Sequence, residues 1–211
     1  METTGLRLGE LKPPIVHLCI DMQRLFAEPT EWYVPDLETI LPTVEQLVAH
    51  QPEATIFTKF ITAQNAKGQL RRWHEYYQRW ASLTLEQMKS ERLNLVSPLE
   101  RFAKQSCVLD KYVYSAFDNP ELDQELRRRG AQTLVFSGVE TEMCVLATVL
   151  AAVDRGYRCI IVVDGVASSD PAGHRAAINA IFPRFQQHID TVTSTDILTA
   201  WSDAIRITQI R

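Results

Sequence analysis

A cysteine after a tight turn is the clearest candidate nucleophile in the sequence. Cys144 lies in the stretch Thr133–Val149, which reads as a short apolar strand, a break at Ser137-Gly138, a polar turn and a helix rich in alanine and leucine. This pattern predicts that the cysteine is in the first helical turn, where unpaired N–H groups and the helix dipole favour a thiolate and can hold an oxyanion. The alternative is a small apolar residue that packs the helix against a sheet.

An aspartate and a lysine lie at the ends of two further predicted strands. Asp21 follows the apolar run Ile15–Ile20, and Lys111 follows the run Cys107–Asp110. Taken singly, Asp21 could cap a turn and Lys111 could be a solvated surface lysine. Because ligands of parallel sheets bind beyond the carboxyl ends of the strands, both residues could instead meet Cys144 there. A carboxylate, an ammonium and a thiol in one pocket would supply a base, an orienting charge and a nucleophile.

The elements that must position these residues alternate between strands and helices. Strands are predicted at Ile15–Ile20, Ala54–Phe60, Cys107–Asp110, Thr133–Phe136, Arg158–Val163 and Thr191–Thr193. Helices are predicted over Leu37–His50, from Pro120 to Gly130 and from Pro171 to about Phe185. This alternation predicts an α/β fold in which a parallel six-stranded sheet is the middle of three α/β/α layers, with right-handed crossovers.

The bulk properties are those of one globular domain. The chain has 211 residues, of which 45% are hydrophobic and 23% charged, so we predict a single domain over residues 1–211. The net charge of −4 gives no reason to expect binding to nucleic acid or to an anionic membrane. No apolar run approaches the length of a membrane span and the N-terminus lacks the apolar core of a signal peptide, so we expect a cytoplasmic protein. The remaining cysteines, Cys19, Cys107 and Cys159, are expected to be reduced core residues.

Four motifs resemble those of the isochorismatase-like cysteine hydrolases. They are D-x-Q-x-x-F at Asp21, Gln23 and Phe26; D-K-x-x-Y-S-x-F around Lys111, Tyr114, Ser115 and Phe117; G-V-E-T-E-M-C-V from Gly138 to Val145; and D-G-V-A-S-S-D at Asp164. The resemblance runs from about Ile15 to Trp201. This family includes nicotinamidases and N-carbamoylsarcosine, biuret and ureidoacrylate amidohydrolases.

The resemblance implies an isochorismatase-like, Rossmann-like fold and a catalytic triad of Asp21, Lys111 and Cys144. It also implies a non-proline cis peptide at Val139–Glu140, with the Glu140 N–H beside the Cys144 N–H as an oxyanion hole. We therefore predict a metal-independent amidohydrolase that cleaves a C–N bond of a small linear amide, carbamoyl or ureido compound through a thioester. A small molecule is the expected partner, and because this family is often oligomeric we expect a homo-oligomer.

A further set of residues is expected to bind the substrate. The set consists of Gln23, Phe26, Arg72, Trp73 and Phe117. The aromatic and basic residues between Arg71 and Trp80 fall at helical spacings, and this stretch could be either a packed helix or a lid over the substrate. Either Arg71 or Arg72 could bind a substrate carboxylate. No nucleotide cofactor is expected, because neither G-x-G-x-x-G nor a P-loop follows the first strand.

The region after the second strand departs from the nicotinamidase branch. That branch carries a metal site with an aspartate and histidines just after this strand, whereas here the chain reads FTKFITAQN. His74 stands alone nearby, and the other histidines form no ligand spacing. We therefore predict no metal and no nicotinamide substrate. Two alternatives stay open: a vinyl ether hydrolase of the isochorismate type, which would act without Cys144, and a catalytically silent, oligomeric binding protein.

Overall fold

The computed structural model describes residues 3–210 and has a parallel sheet at its centre. The six strands formed by these residues are β1 (Ile15–Ile20), β2 (Thr55–Phe60), β3 (Cys107–Lys111), β4 (Thr133–Val139), β5 (Arg158–Ala167) and β6 (Ile189–Val192). Their order across the sheet is β3-β2-β1-β4-β5-β6, and every neighbouring pair is parallel. The strand order therefore reverses between β1 and β4, which is where ligands bind in open α/β sheets.

Helices cover both faces of this sheet, which confirms the predicted three-layer fold. They are α1 (Arg24–Ala27), α2 (Leu37–His50), α3 (Arg72–Arg79), α4 (Ser97–Glu100), α5 (Pro120–Arg128), α6 (Leu146–Asp154), α7 (Pro171–Ala176) and α8 (Ser194–Ile210). Successive strand residues point to opposite faces, so Leu134 and Phe136 join one buried cluster while Val135 joins the other, beside Trp201 of α8. None of the helices in the described part of the chain is long and apolar enough to cross a membrane.

The central strand is longer than predicted. β4 continues through Gly138 to Val139 instead of ending at Phe136. Gly138 pairs with Ile20 of β1. The sequence predicted a break at Ser137-Gly138, but the strand continues there, with a shift in its register against β5 between Phe136 and Gly138. The turn that follows therefore begins closer to the end of β1, where Asp21 lies.

Gly138 occupies a position where no side chain fits. Its φ is +112°, and a Cβ there would lie 2.0 Å from the carbonyl oxygen of Ile20. Because Gly138→Ala must push β1 and β4 apart and is also strained at this φ, we expect the free energy of unfolding to fall by about 3 kcal/mol or more. Urea denaturation followed by circular dichroism measures the change.

Gly156→Ala is the matched control for this substitution. Gly156 also has a positive φ, +82°, but no atom lies within 4 Å of its Cβ position. Its replacement should cost only the left-handed backbone strain, about 1 kcal/mol. If Gly138→Ala were as stable as Gly156→Ala, this result would contradict the close approach of β1 to β4 at Gly138.

Candidate active site

Asp21 lies just beyond the end of β1 and is completely buried. Its φ is +50°, in the left-handed region that aspartate tolerates better than most residues. The hydroxyl of Thr58 on β2 donates to Oδ1 of Asp21 at 2.6 Å and accepts the Asp21 backbone N–H at 3.1 Å. The neighbouring strand therefore holds the carboxylate in one orientation, through a residue that the sequence analysis did not single out.

Lys111, the last residue of β3, joins this carboxylate to Cys144. Its Nζ lies 2.7 Å from Oδ2 of Asp21 and donates to Sγ of Cys144 at 3.3 Å. It also donates to the carbonyl of Val113 at 3.1 Å and lies 4.5 Å from the centre of the Phe60 ring. Because Lys111 is only 1% exposed, these groups take the place of solvent around its charge. The structure thus brings together the three residues that the sequence placed at one edge of the sheet.

The charges in this cluster set the protonation of Lys111. Burial lowers the pKa of Lys111, but the attraction of Asp21 and Cys144 outweighs burial and leaves the pKa above its ordinary value. Lys111 is therefore a cation throughout the neutral pH range.

The thiol of Cys144 behaves differently from the prediction. Burial raises the pKa of Cys144 well above its ordinary value; Lys111 opposes this shift, and the charge of Asp21 and a hydrogen bond to it add to it. The expectation of a thiolate favoured by a helix start is therefore wrong, because the side chain is only 6% exposed and lies beside a carboxylate. The resting nucleophile is a neutral thiol in contact with the base that can remove its proton.

Cys144 is held by a π-helical turn, Thr141–Val145, between β4 and α6. The sequence predicted the first turn of an α-helix, but the carbonyl of Glu140 accepts the N–H of Val145, five residues further on, at 3.1 Å. The cysteine therefore lies in a wider turn than an α-helix provides. The Val139–Glu140 peptide bond just before this turn is cis.

A cavity of about 380 Å³ opens over Cys144. Its aromatic wall consists of Phe26, Trp32, Phe60, Tyr76, Trp80 and Tyr114. Its acidic rim consists of Glu31, Glu140, Glu142 and Asp170, with Met143 and Ser169 beside them. The candidate nucleophile is thus part of the lining of a pocket with the dimensions of a small-molecule site.

The structure places one of the five predicted substrate-binding residues, Phe26, in the aromatic wall. Gln23 is buried, and its amide group donates to the carbonyl of Phe60 at 3.2 Å and accepts the N–H of the same residue at 2.7 Å, so it anchors the end of β2. Phe117 is also buried and stacks on Tyr157, with ring centroids 6.2 Å apart. Neither Gln23 nor Phe117 is among the residues that line the cavity.

The other two predicted substrate contacts belong to α3 and also lie outside the cavity lining. The side chain of Arg72 is 90% exposed and pairs with Glu75, so it does not offer a partner for a substrate carboxylate in the cavity. Trp73 packs behind the aromatic wall, with its ring centroid 5.0 Å from that of Tyr76 and 5.4 Å from that of Tyr114. Helical spacing correctly indicated a helix here but not the direction of its side chains.

Trp32 is the most central residue that the sequence analysis left out. Its ring centroid lies between 5.7 and 6.2 Å from those of Phe26, Phe60, Tyr76 and Trp80. The sequence places Trp32 in an irregular loop, where no periodicity gives a side-chain direction, so its aromatic character was the only available signal.

The residues present do not fit the metal site of the nicotinamidase branch. In the part of the chain that the structure describes, no three His, Cys, Asp or Glu side chains are grouped so as to hold a metal ion. The segment after β2 begins with Ile61, Thr62 and Ala63, which offer neither a carboxylate nor an imidazole. His74 uses its Nδ1 in a 2.8 Å contact with the carbonyl of Ala66.

Comparison with known proteins gives one family match and several partial relatives. The model of the isochorismatase domain matches residues 16–193. The ureidoacrylate amidohydrolase RutB of Methylobacterium radiotolerans is 42% identical over 72 residues, which are 34% of this chain and 28% of that protein. The uncharacterized isochorismatase family protein YwoC of Bacillus subtilis is 36% identical over 74 residues, or 35% of this chain and 39% of that protein. The chain thus matches well under half the length of these two relatives.

Solved structures share the fold over most of the chain. A cysteine hydrolase from Pseudomonas syringae pv. phaseolicola superposes with a TM-score of 0.80 at 21% identity, covering 97% of this chain and 100% of that one. The N-carbamoylsarcosine amidase from Thermoplasma acidophilum superposes with a TM-score of 0.67 at 20% identity, covering 87% and 97%. At these identities the likeness establishes the fold alone.

Proposed function

The chain belongs to the isochorismatase family, and from this premise we propose that it is a cysteine hydrolase that cleaves the C–N bond of a small linear amide, carbamoyl or ureido compound. The observation that carries the proposal is the contact of Lys111 with both Asp21 and Cys144 beside a small-molecule cavity. The names of two similar proteins, a ureidoacrylate amidohydrolase and an N-carbamoylsarcosine amidase, support this reaction class.

The reaction begins from a neutral thiol. Asp21 accepts the proton of Cys144 as the sulfur attacks the carbonyl carbon of the substrate, so a thiolate need not accumulate in the resting enzyme. Lys111 keeps Asp21 ionised and stabilises the sulfur anion as it forms. The N–H groups of Glu140 and Cys144 hold the negative oxygen of the tetrahedral intermediate.

Collapse of this intermediate breaks the C–N bond. Asp21 gives its proton to the leaving nitrogen, so ammonia or an amine departs and the acyl group stays on Cys144 as a thioester. Water then attacks the thioester carbonyl while Asp21 takes a proton from that water. Asp21 returns the proton to the sulfur as the acid departs, which restores the starting state after the consumption of one water molecule.

Ammonia release from a panel of simple amides, carbamoyl compounds and ureido compounds tests this function. We expect turnover of at least one class by the wild type, none by Cys144→Ala, and an acyl adduct on the Cys144 peptide after acid quenching. Turnover that survives Cys144→Ala would contradict the proposal and favour chemistry of the vinyl ether type. Absence of both ammonia and adduct across the panel would favour a binding protein.

Prolonged chelation is expected to leave turnover unchanged, because the residues after β2 provide no metal ligands. The measurement is the rate of ammonia release before and after dialysis against a chelator, beside elemental analysis of the purified protein. We expect no stoichiometric zinc or iron. Activity that returns only when a metal is added would contradict this prediction.

A further inference from the structure

The cavity over Cys144 has an unbalanced charge. The acidic rim supplies four carboxyl groups, whereas no lysine or arginine is among the described residues that line the cavity. Lys111 lies close by, but its ammonium is paired with the Asp21 carboxylate at 2.7 Å and is only 1% exposed. A substrate that enters the cavity therefore meets negative charge.

Two short segments, the turn after β4 and the loop after β5, hold three of the four rim carboxyl groups in place, those of Glu140, Glu142 and Asp170. Glu140 accepts the backbone N–H of Ser169 at 3.0 Å and also the hydroxyl of this serine. Glu142 accepts the hydroxyl of Ser168 at 2.6 Å, and Asp170 accepts the N–H of Ala172 at 2.9 Å. Because the donors in these contacts are neutral, they orient the carboxyl groups without cancelling their charge.

The carboxyl groups of the rim also repel one another. Burial raises the pKa of Glu142, and the nearby charges of Glu140 and Asp170 raise it further, against the hydrogen bond from Ser168. A cation placed among these groups would relieve the repulsion, whereas an anionic substrate would add to it.

The aromatic wall provides a second, independent attraction for a positive charge. Ring faces carry negative charge density, and groups of aromatic side chains are a recurrent way to bind quaternary ammonium ions. Two members of the wall already hold a cation over their rings: Phe60 faces Lys111 Nζ at 4.5 Å, and Trp80 faces the Arg79 guanidinium at 4.9 Å. Trp32 packs against both of them, with its ring centroid 5.7 Å from that of Phe60 and 6.2 Å from that of Trp80.

We propose that the substrate carries a positively charged group, such as an alkylammonium, quaternary ammonium or guanidinium group, close to its scissile amide. The proposal takes C–N cleavage from the function proposed above and adds the charge of the substrate. The cation packs against the aromatic wall near Trp32 and faces the acidic rim, while the amide carbonyl lies at Cys144.

Three small amides test the charge preference by binding alone. The probes are 2-(trimethylammonio)acetamide, its uncharged isostere 3,3-dimethylbutanamide, and malonamate as the anion. Titration calorimetry of Cys144→Ala measures their affinities without turnover. We expect the cationic amide to bind about tenfold more tightly than its isostere, and malonamate most weakly. The proposal is overturned if the cationic amide binds no more tightly than the isostere.

Isosteric substitutions in the rim identify the source of the preference. In the Cys144→Ala background, the double substitution Glu140→Gln and Asp170→Asn should weaken binding of the cation about fivefold and leave binding of the isostere unchanged. Glu38→Gln is the matched control, because Glu38 is an exposed glutamate of α2 outside the cavity lining. Undiminished cation binding by the double variant would contradict the role of the rim.

Trp32 offers a corresponding test of the wall. Trp32→Leu should weaken binding of the cation more than binding of the isostere, and Trp32→Phe should retain much of the difference because it keeps an aromatic face. Equal losses for both ligands would mean that Trp32 contributes packing area only, which contradicts its role in the proposal.

Turnover separates this proposal from the function on which it rests. If ammonia release depends on Cys144 but the cationic amide binds no more tightly than its isostere, the proposed hydrolase function is supported and the proposed charge preference is contradicted. If the cationic amide binds preferentially but no amide releases ammonia, the charge preference is supported and the hydrolase function is contradicted.

Discussion

Asp21→Asn is expected to reduce turnover by about a thousandfold or more, since loss of a general acid–base group typically costs two to four orders of magnitude. Asparagine tolerates the φ of +50° at this position and can still accept the Thr58 hydroxyl through its carbonyl oxygen. It cannot take the proton of Cys144 or return it to the leaving nitrogen. Steady-state ammonia release measures the effect, and the urea unfolding midpoint of the same protein records any loss of fold.

The same substitution should make Cys144 easier to alkylate at lower pH. The thiolate is the reactive form and predominates above the pKa of Cys144, which the Asp21 charge raises and Lys111 lowers. The pH profile of iodoacetamide labelling should therefore move down for Asp21→Asn and up for Lys111→Met, with Cys144→Ala as the unlabelled control. Near wild-type turnover by Asp21→Asn would mean that this aspartate only caps a turn.

The positions of the three candidate catalytic residues could be predicted because they depend on topology. Asp21 and Lys111 are marked in the sequence as polar residues at the ends of apolar runs, and Cys144 follows a strand and a turn. Parallel strands bring such ends to one edge of a sheet, whatever the details of the packing. Thr58 escaped notice because it lies inside β2, where a threonine is also an ordinary strand residue.

The state of the thiol could not be predicted from the same pattern. A helix start is a local feature, and it suggested a lowered pKa for Cys144. Burial depends on everything packed around the side chain, and here it outweighs the attraction of Lys111. Local sequence thus identified the nucleophile but not the protonation state from which it acts.

Apart from Phe26, the aromatic wall could not be predicted from the sequence, because its residues come from loops, a short helix and the end of a strand. Trp32 belongs to a loop, and Tyr76 and Trp80 come from a short helix and its end. The spacing of Arg72 and Trp73 predicted that helix, but its rotation about its own axis depends on contacts with distant residues such as Tyr114. Spacing therefore predicted the helix, but neither Arg72 nor Trp73 lines the cavity.

Lys111→Met is expected to lower the free energy of unfolding at pH 7 by about 3–5 kcal/mol, the usual effect of leaving a buried charge without its partner. Methionine keeps most of the stem of the lysine, whereas the Asp21 carboxylate, at 0% exposure, loses its only cation among the described contacts. Because the pKa of Lys111 is raised, its stabilising contribution in the wild type is complete at pH 7 and is lost only as the pH rises through that value. Turnover should also fall, since the sulfur anion that forms at Cys144 loses the ammonium group beside it.

A double variant separates the charge of Lys111 from its packing. Asp21→Asn combined with Lys111→Met removes both charges and should recover much of the lost stability while remaining inactive. Urea denaturation at pH 7 of the wild type, the two single variants and the double variant measures the effect. An equal loss of stability in Lys111→Met and in the double variant would mean that Lys111 stabilises the site by packing. The buried ion pair with Asp21 would then not be what holds the base beside the thiol.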